Sequence, residues 1–128
     1  MTNPTDKLIL VVEDTIDLAG FVMDALGEMG FQTHHSSSPD GAIEFLQTAT
    51  PDLIILDIGL PGMTGWQLLE IINERRREKG IFIVVTTAFQ DPANRLVGKL
   101  QEVDAYLLKP FRFQELKQTV NALLQTHQ

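Results

Sequence analysis

The chain has 128 residues, 44% of them hydrophobic, which gives room for one compact domain with a buried core and not for two. It has no cysteine, so a disulfide framework, a zinc–thiolate centre and a thiol nucleophile are excluded. With 17 acidic residues against 10 basic ones the formal net charge is -7, a balance that repels nucleic-acid phosphates unless the basic residues are segregated. The only dense basic run, Arg75-Arg76-Arg77, reads as the solvated end of a helix, so direct binding to nucleic acid is not expected. The N-terminal residues carry neither a basic region nor a long apolar segment, and no apolar run approaches the ~20 residues of a membrane span. The expectation is a soluble, cytoplasmic protein with no membrane partner.

In chain order, Leu8-Ile9-Leu10-Val11-Val12 is an apolar run closed by Glu13 and Asp14. Leu18, Phe21, Val22, Ala25, Leu26 and Met29 then recur at steps of three and four, the period of a helix with one buried face, until Gly30 stops the pattern. Phe31 to His35 reads as a short, more polar edge strand, with His34 and His35 as surface residues away from the acids. Ser38-Pro39-Asp40 offers an N-cap and a first-turn proline for a helix through Ile43, Leu46 and Ala49, which Thr50-Pro51 ends. Leu53-Ile54-Ile55-Leu56 is the next apolar run. It ends in Asp57, and Ile58-Gly59-Leu60-Pro61-Gly62 beyond it cannot continue a strand. Gly65 to Lys79 is helical with Leu68, Leu69, Ile71 and Ile72 as its apolar stripe, closed by Gly80. Ile81-Phe82-Ile83-Val84-Val85 ends in the hydroxyls of Thr86 and Thr87, and Asp91-Pro92 opens a weaker helix through Leu96, Val97 and Leu100. Tyr106-Leu107-Leu108 ends in Lys109-Pro110, and a last helix from about Arg112 to Gln125 offers Leu116, Val120, Leu123 and Leu124 for burial. Trp66 and the Phe residues read as packing, and Met23, Met29 and Met63 as core or turn filler.

Strand and helix thus alternate five times. Strands apolar on both sides belong to a parallel sheet covered by helices on both faces, a doubly wound α/β architecture. In such sheets the site lies beyond the carboxyl ends of the strands. Glu13, Asp14, Asp57, Thr87 and Lys109 all fall at that edge. Clustered carboxylates need a counter-ion, and magnesium prefers six oxygens. Asp14, Asp57 and a turn carbonyl, that of Gly59, can supply three of them. Asp57 can then attack a phosphoryl group to form an acyl phosphate, with Lys109 and Thr87 receiving the phosphoryl oxygens.

Four motifs, Val12-Glu13-Asp14, Leu56-Asp57 with Leu60-Pro61-Gly62-Met63-Thr64-Gly65, Val85-Thr86-Thr87-Ala88 and Tyr106-Leu107-Leu108-Lys109-Pro110-Phe111, resemble the receiver domain of two-component response regulators, and among these the single-domain chemotaxis members in shape. The resemblance runs from about Lys7 to Leu124. It implies a five-stranded flavodoxin-like sheet of order 2-1-3-4-5 and a receiver domain over residues 7–126. It also implies Asp57 as phosphoacceptor, Glu13 and Asp14 as Mg2+ acids, Thr87 as switch hydroxyl, Tyr106 as switch aromatic and Lys109 as phosphate-binding lysine. Pro110, after a cis bond, would aim that lysine into the site. The implied donor is a phosphohistidine on a sensor histidine kinase or a histidine phosphotransfer protein, and the output is contact with a further, unidentified protein. Gly59 and Phe89, two residues beyond Asp57 and Thr87, would border the path of the water that ends the signal.

Two features depart from the family pattern. The segment Lys99 to Ala105 has no glycine, so its turn must be built differently or place another residue at positive φ. Glu13 stands where an aspartate is usual and lengthens one arm of the acid pair.

Three other readings remain open from the sequence. The chain can be a receiver fragment of a longer multidomain regulator. A flavodoxin-like cofactor binder would need a hydroxyl- and glycine-rich phosphate loop where Glu13-Asp14 stands. A phosphatase with an aspartate nucleophile usually has a second aspartate two residues later, at the position of Gly59.

Overall fold

A computed structural model of the chain describes residues 6–59, 63–88, 99 and 101–124. Five strands, β1 (Leu8–Val12), β2 (Gln32–Ser36), β3 (Leu53–Asp57), β4 (Phe82–Thr87) and β5 (Ala105–Leu108), form one sheet of order β2-β1-β3-β4-β5. Every pairing is parallel. Among the described residues the helices are α1 (Ile16–Glu28), α2 (Pro39–Thr48), α3 (Gly65–Lys79) and, labelled α4 here, Phe113–Leu124. None of them is long and apolar enough to cross a membrane.

Successive strand side chains point to opposite faces, and the apolar runs split accordingly. Leu10, Val12, Ile54, Leu56, Ile83 and Val85 face one way, against Ala42 and Leu46 of α2 and Leu68, Leu69 and Ile72 of α3. Ile9, Val11, Leu53, Ile55 and Val84 face the other, against Val22, Ala25 and Leu26 of α1 and Leu116 and Val120 of α4. Each such aliphatic side chain contributes ~1.5–3 kcal/mol on burial, so a one-residue slip of register would forfeit both layers. From β1 the chain goes to β2 on one side and to β3 on the other. The crevice this reversal opens lies between the carboxyl ends of β1 and β3.

The start expected at Ser38-Pro39 and the stop expected at Gly80 are both seen, and α3 has in addition a capping box at its start. Ser38 Oγ accepts from the Gly41 amide at 3.1 Å with Pro39 in the first turn of α2. At α3 the Thr64 hydroxyl accepts from Gln67 N at 3.2 Å while Gln67 Oε1 accepts from Thr64 N at 2.8 Å, and Gly80 closes the helix with φ 70°.

Gly65 is required where it stands, because a Cβ there would lie 2.5 Å from Ile58 Cα and 2.8 Å from the Asp57 carbonyl oxygen. The first turn of α3 therefore rests directly on the backbone that carries Asp57.

The structure corrects several expectations. Phe21 and Ile71 are 41% and 55% exposed. Each precedes a buried residue by one position, about 100° around the helix, and falls outside the stripe that packs on the sheet. The arginine run is not simply solvated. Arg76 lies four residues beyond Ile72 on the stripe that packs inward, so it is 5% exposed and donates to the carbonyls of Gln101 at 2.6 Å and Glu102 at 2.8 Å. Arg75 Nη2 reaches Ala49 O at 3.2 Å, and only Arg77 keeps the solvated role. The glycine-free turn before β5 places Glu102 at φ 61°, the positive-φ alternative foreseen for it. The helix expected after Asp91, and Phe89, lie outside the described residues.

Candidate functional site

The ladders that hold the strands in register also fix what projects beyond them. Glu13 N donates to Ser36 O at 3.1 Å, Ile58 N to Thr86 O at 3.2 Å and Lys109 N to Thr87 O at 2.7 Å. These bonds carry the sheet pattern one residue past β1, β3 and β5, so the side chains there stand on a rigid edge. Hydrogen bonding extends β4 itself through Thr86 and Thr87, both buried.

Glu13 and Asp57 are buried at 4% and 6% exposure, and Asp14 is exposed at the rim. One oxygen from each of the three carboxylates lies within 4.8 Å of the others. Lys109 Nζ donates to Glu13 Oε1 at 3.0 Å and to Asp57 Oδ2 at 3.1 Å, bridging the two buried acids. The remaining oxygens take backbone donors: Gly59 N reaches Asp57 Oδ1 at 2.8 Å and Thr15 N reaches Glu13 Oε2 at 3.1 Å. The Lys109–Pro110 peptide bond is cis.

Burial raises the pKa of Glu13, the Asp57 charge adds to the rise, and the hydrogen bonds from Lys109 and Thr15 oppose it. For Lys109 burial is the largest single influence and disfavours the ammonium, but hydrogen bonds and charges from Glu13 and Asp57 together outweigh it and raise the pKa. Three carboxylates against one ammonium leave an excess of negative charge. An all-oxygen donor set carrying that excess fits a hard divalent cation such as Mg2+.

All the residues singled out at the strand ends therefore meet at one edge, with the Gly59 backbone beside Asp57. Tyr106, on β5, is half-buried, packs on the core and meets Trp66 edge-to-face at 6.5 Å between ring centroids. Sequence reasoning missed His35. It is not remote from the acids, because its Nε2 lies 2.7 Å from the Glu13 carbonyl oxygen and so ties the end of β2 to the acid loop. The signal was available in the parallel order, since β2 beside β1 must end near Glu13.

Comparison with known proteins agrees with this geometry. The family model described as response regulator receiver domain matches residues 9–121. The probable transcriptional regulatory protein SilR of Salmonella typhimurium is 36% identical over 116 residues, 91% of this chain and 50% of that protein. The phosphate regulon transcriptional regulatory protein PhoB of Klebsiella pneumoniae is 33% identical over 118 residues, 92% of this chain and 52% of that protein. The chain thus spans about half the length of these relatives. Among solved structures, the chemotaxis protein CheY4 of Vibrio cholerae superposes with a TM-score of 0.86 at 26% identity, covering 92% of this chain and 98% of that one. The response regulator TrrA of Thermotoga maritima, in complex with Mg2+ and BeF, gives 0.80 at 31% identity, covering 92% and 99%. With this sheet order, this acid edge and these matches, the chain belongs to the response regulator receiver family, the phosphoaccepting switch domains of two-component signalling.

Proposed function

We propose that Asp57 is the phosphoacceptor and that Glu13, Asp14, Asp57 and the Gly59 carbonyl hold Mg2+ at the sheet edge. The observation that carries the reading is the Lys109 ammonium bridging Glu13 and Asp57 beside an exposed third acid. A bound Mg2+ would neutralise the acids and the incoming phosphoryl oxygens. The chain's own groups do the rest. An Asp57 carboxylate oxygen forms the new bond to phosphorus while the phosphorus–nitrogen bond of a phosphohistidine breaks, its electron pair leaving on the imidazole nitrogen. Lys109, already at hydrogen-bond distance from Asp57, moves from carboxylate to phosphoryl oxygen. Thr87, at the end of β4, turns its hydroxyl to the phosphoryl group, and Tyr106 follows as the output switch. The donor is a sensor histidine kinase or a histidine phosphotransfer protein, in the cytoplasm. The domain assists its own phosphorylation and dephosphorylation and has no external substrate to turn over.

Residues 7–126 constitute the receiver unit in this reading. A second reading is favoured by the half-length matches to transcriptional regulators and to a DNA-binding response regulator: the unit belongs to a longer regulator whose output module binds DNA. The acidic receiver itself, at net charge -7, would still not contact the nucleic acid.

Incubation with a small phosphodonor and Mg2+ should add one phosphate by intact mass, and chelation or Asp57→Asn should abolish the gain. Equal labelling of Asp57→Asn would remove the acceptor assignment. Turnover of small phosphate esters, or a bound flavin, would instead support the enzyme or cofactor alternatives.

A further inference from the structure

We propose that Arg76 is a positioning residue for the switch strand: its guanidinium, at the far end of the helix that rests on the acceptor backbone, latches the turn leading into β5. The proposal rests on the reading of Asp57 as acceptor and Tyr106 as switch residue.

α3 begins against the acceptor, with Gly65 N donating to Ile58 O at 3.1 Å and no space for a Cβ beside the Asp57 carbonyl. Eleven residues and about 16 Å further along the helix stands Arg76. Its Nη2 donates to Gln101 O at 2.6 Å and Glu102 O at 2.8 Å. One turn earlier, Asn73 Nδ2 donates to Gln101 Oε1 at 2.6 Å. The turn held in this way is the one that places a glutamate at φ 61°. Beyond it, Asp104 N donates to Ile83 O at 2.9 Å while Ile83 N donates to Asp104 Oδ2 at 2.7 Å, which fixes the entry of β5 against β4.

Tyr106 is the second residue of that four-residue strand and Lys109 follows its last. α3 therefore joins the acceptor backbone at its first turn to the turn that leads into the switch strand at its last, at the opposite edge of the sheet from the acids. Arg76 also stabilises this turn, since removing it leaves two part-buried carbonyls without their donor, so the latch is read from the phosphorylation-dependent change and not from stability.

The test compares the parent, Arg76→Met and Arg76→Met/Glu102→Gly, treated with acetyl phosphate and Mg2+. The methionine keeps the aliphatic stem and removes the donors, and glycine at position 102 relieves the positive-φ conformation without restoring the latch. Both variants should gain one phosphate as the parent does. The phosphorylation-dependent change in amide exchange over residues 104–108 should fall at least about threefold in both, even where the glycine has restored thermal stability. A change equal to the parent's in either variant, or no change over these residues in a phosphorylated parent, would overturn the latch. Should neither variant fold, Arg76→Gln, whose shorter side chain cannot span to both carbonyls, carries the same comparison.

A parent that takes no phosphate refutes the acceptor reading instead. The latch is then judged on the unmodified proteins, where loss of Arg76 should speed exchange at residues 102–105 by at least about tenfold more than in β1. Uniform acceleration would overturn it.

Discussion

Replacing Gly65 by alanine probes the contact between α3 and the acceptor backbone. The new methyl group would stand 2.5 Å from Ile58 Cα and 2.8 Å from the Asp57 carbonyl oxygen. Carbon atoms in ordinary contact are ~3.5–4.0 Å apart, so helix and strand end must separate by about 1 Å. Both obstructing atoms are backbone, and no side-chain rotation relieves the clash. Overpacking of this kind costs ~1–3 kcal/mol, against which alanine's helical advantage, at most about 1 kcal/mol in a helix interior, is smaller in a first turn. A net loss of ~1–2 kcal/mol corresponds to a fall in Tm of ~3–12 °C for a chain of this size. The separation also displaces the carboxylate, and a misplacement of ~1 Å can cost ~100-fold in rate. Thermal unfolding and the rate of mass gain from a small phosphodonor read the two effects. Gly20→Ala is the control, because no atom lies within 4 Å of its added Cβ, and it should stabilise α1 by ~0.5–1 kcal/mol. A Gly65→Ala protein with the parent's Tm and the parent's phosphorylation rate would refute the close-approach reasoning.

Mg2+ at tenfold its dissociation constant should stabilise the protein by about 1.4 kcal/mol, read as a rise in Tm that Asp14→Asn largely removes. In metal-free buffer Lys109→Met should destabilise by ~3 kcal/mol, since it leaves Glu13 and Asp57 buried without their cation. Glu13 holds its proton more tightly folded than unfolded, so its contribution favours folding at low pH and is lost as pH rises through the raised folded pKa; removing Lys109 strengthens this tendency. The Lys109→Met deficit should therefore shrink as pH falls into the carboxylate range, and urea titrations showing a deficit that grows would contradict the pairing. Phe89→Glu should shorten the lifetime of the phosphorylated form more than Gly59→Asn does, because an acid can orient the attacking water. Phosphate release at fixed Mg2+ from the three proteins checks the order.

The sheet was legible because its central strands open with unbroken apolar runs and alternate with helical periods, a pattern that fits a parallel sheet covered on both faces. The bounds of α3 agree with the reading from Gly65 to Lys79 closed by Gly80, and the Thr64/Gln67 capping box that marks its start was a further signal in the sequence. The acid edge followed from strand polarity, as each run ends in a reactive side chain at the same terminus. The arginines were harder to place. The carbonyls that Arg76 serves lie 25 and 26 residues downstream, and although it continues the Leu68, Leu69 and Ile72 stripe, its charge makes the sequence read it with its exposed neighbour Arg77. His35 pairs with a backbone oxygen 22 residues away, which has no signature of its own, so only the parallel placement of β2 beside β1 could have put it near Glu13. Phe21 and Ile71 fit the apolar period on paper, but helix rotation is set by packing on the sheet.

The most direct test of the central claim locates the phosphate itself. After treatment with a small phosphodonor and Mg2+, borohydride reduces an acyl phosphate to the alcohol, so a modified aspartate becomes homoserine. Peptide mass mapping should find homoserine at position 57, with Glu13 and Asp14 unchanged and no conversion when Mg2+ is chelated. Conversion at Glu13 or Asp14 with Asp57 intact, or the same yield without metal, would contradict it.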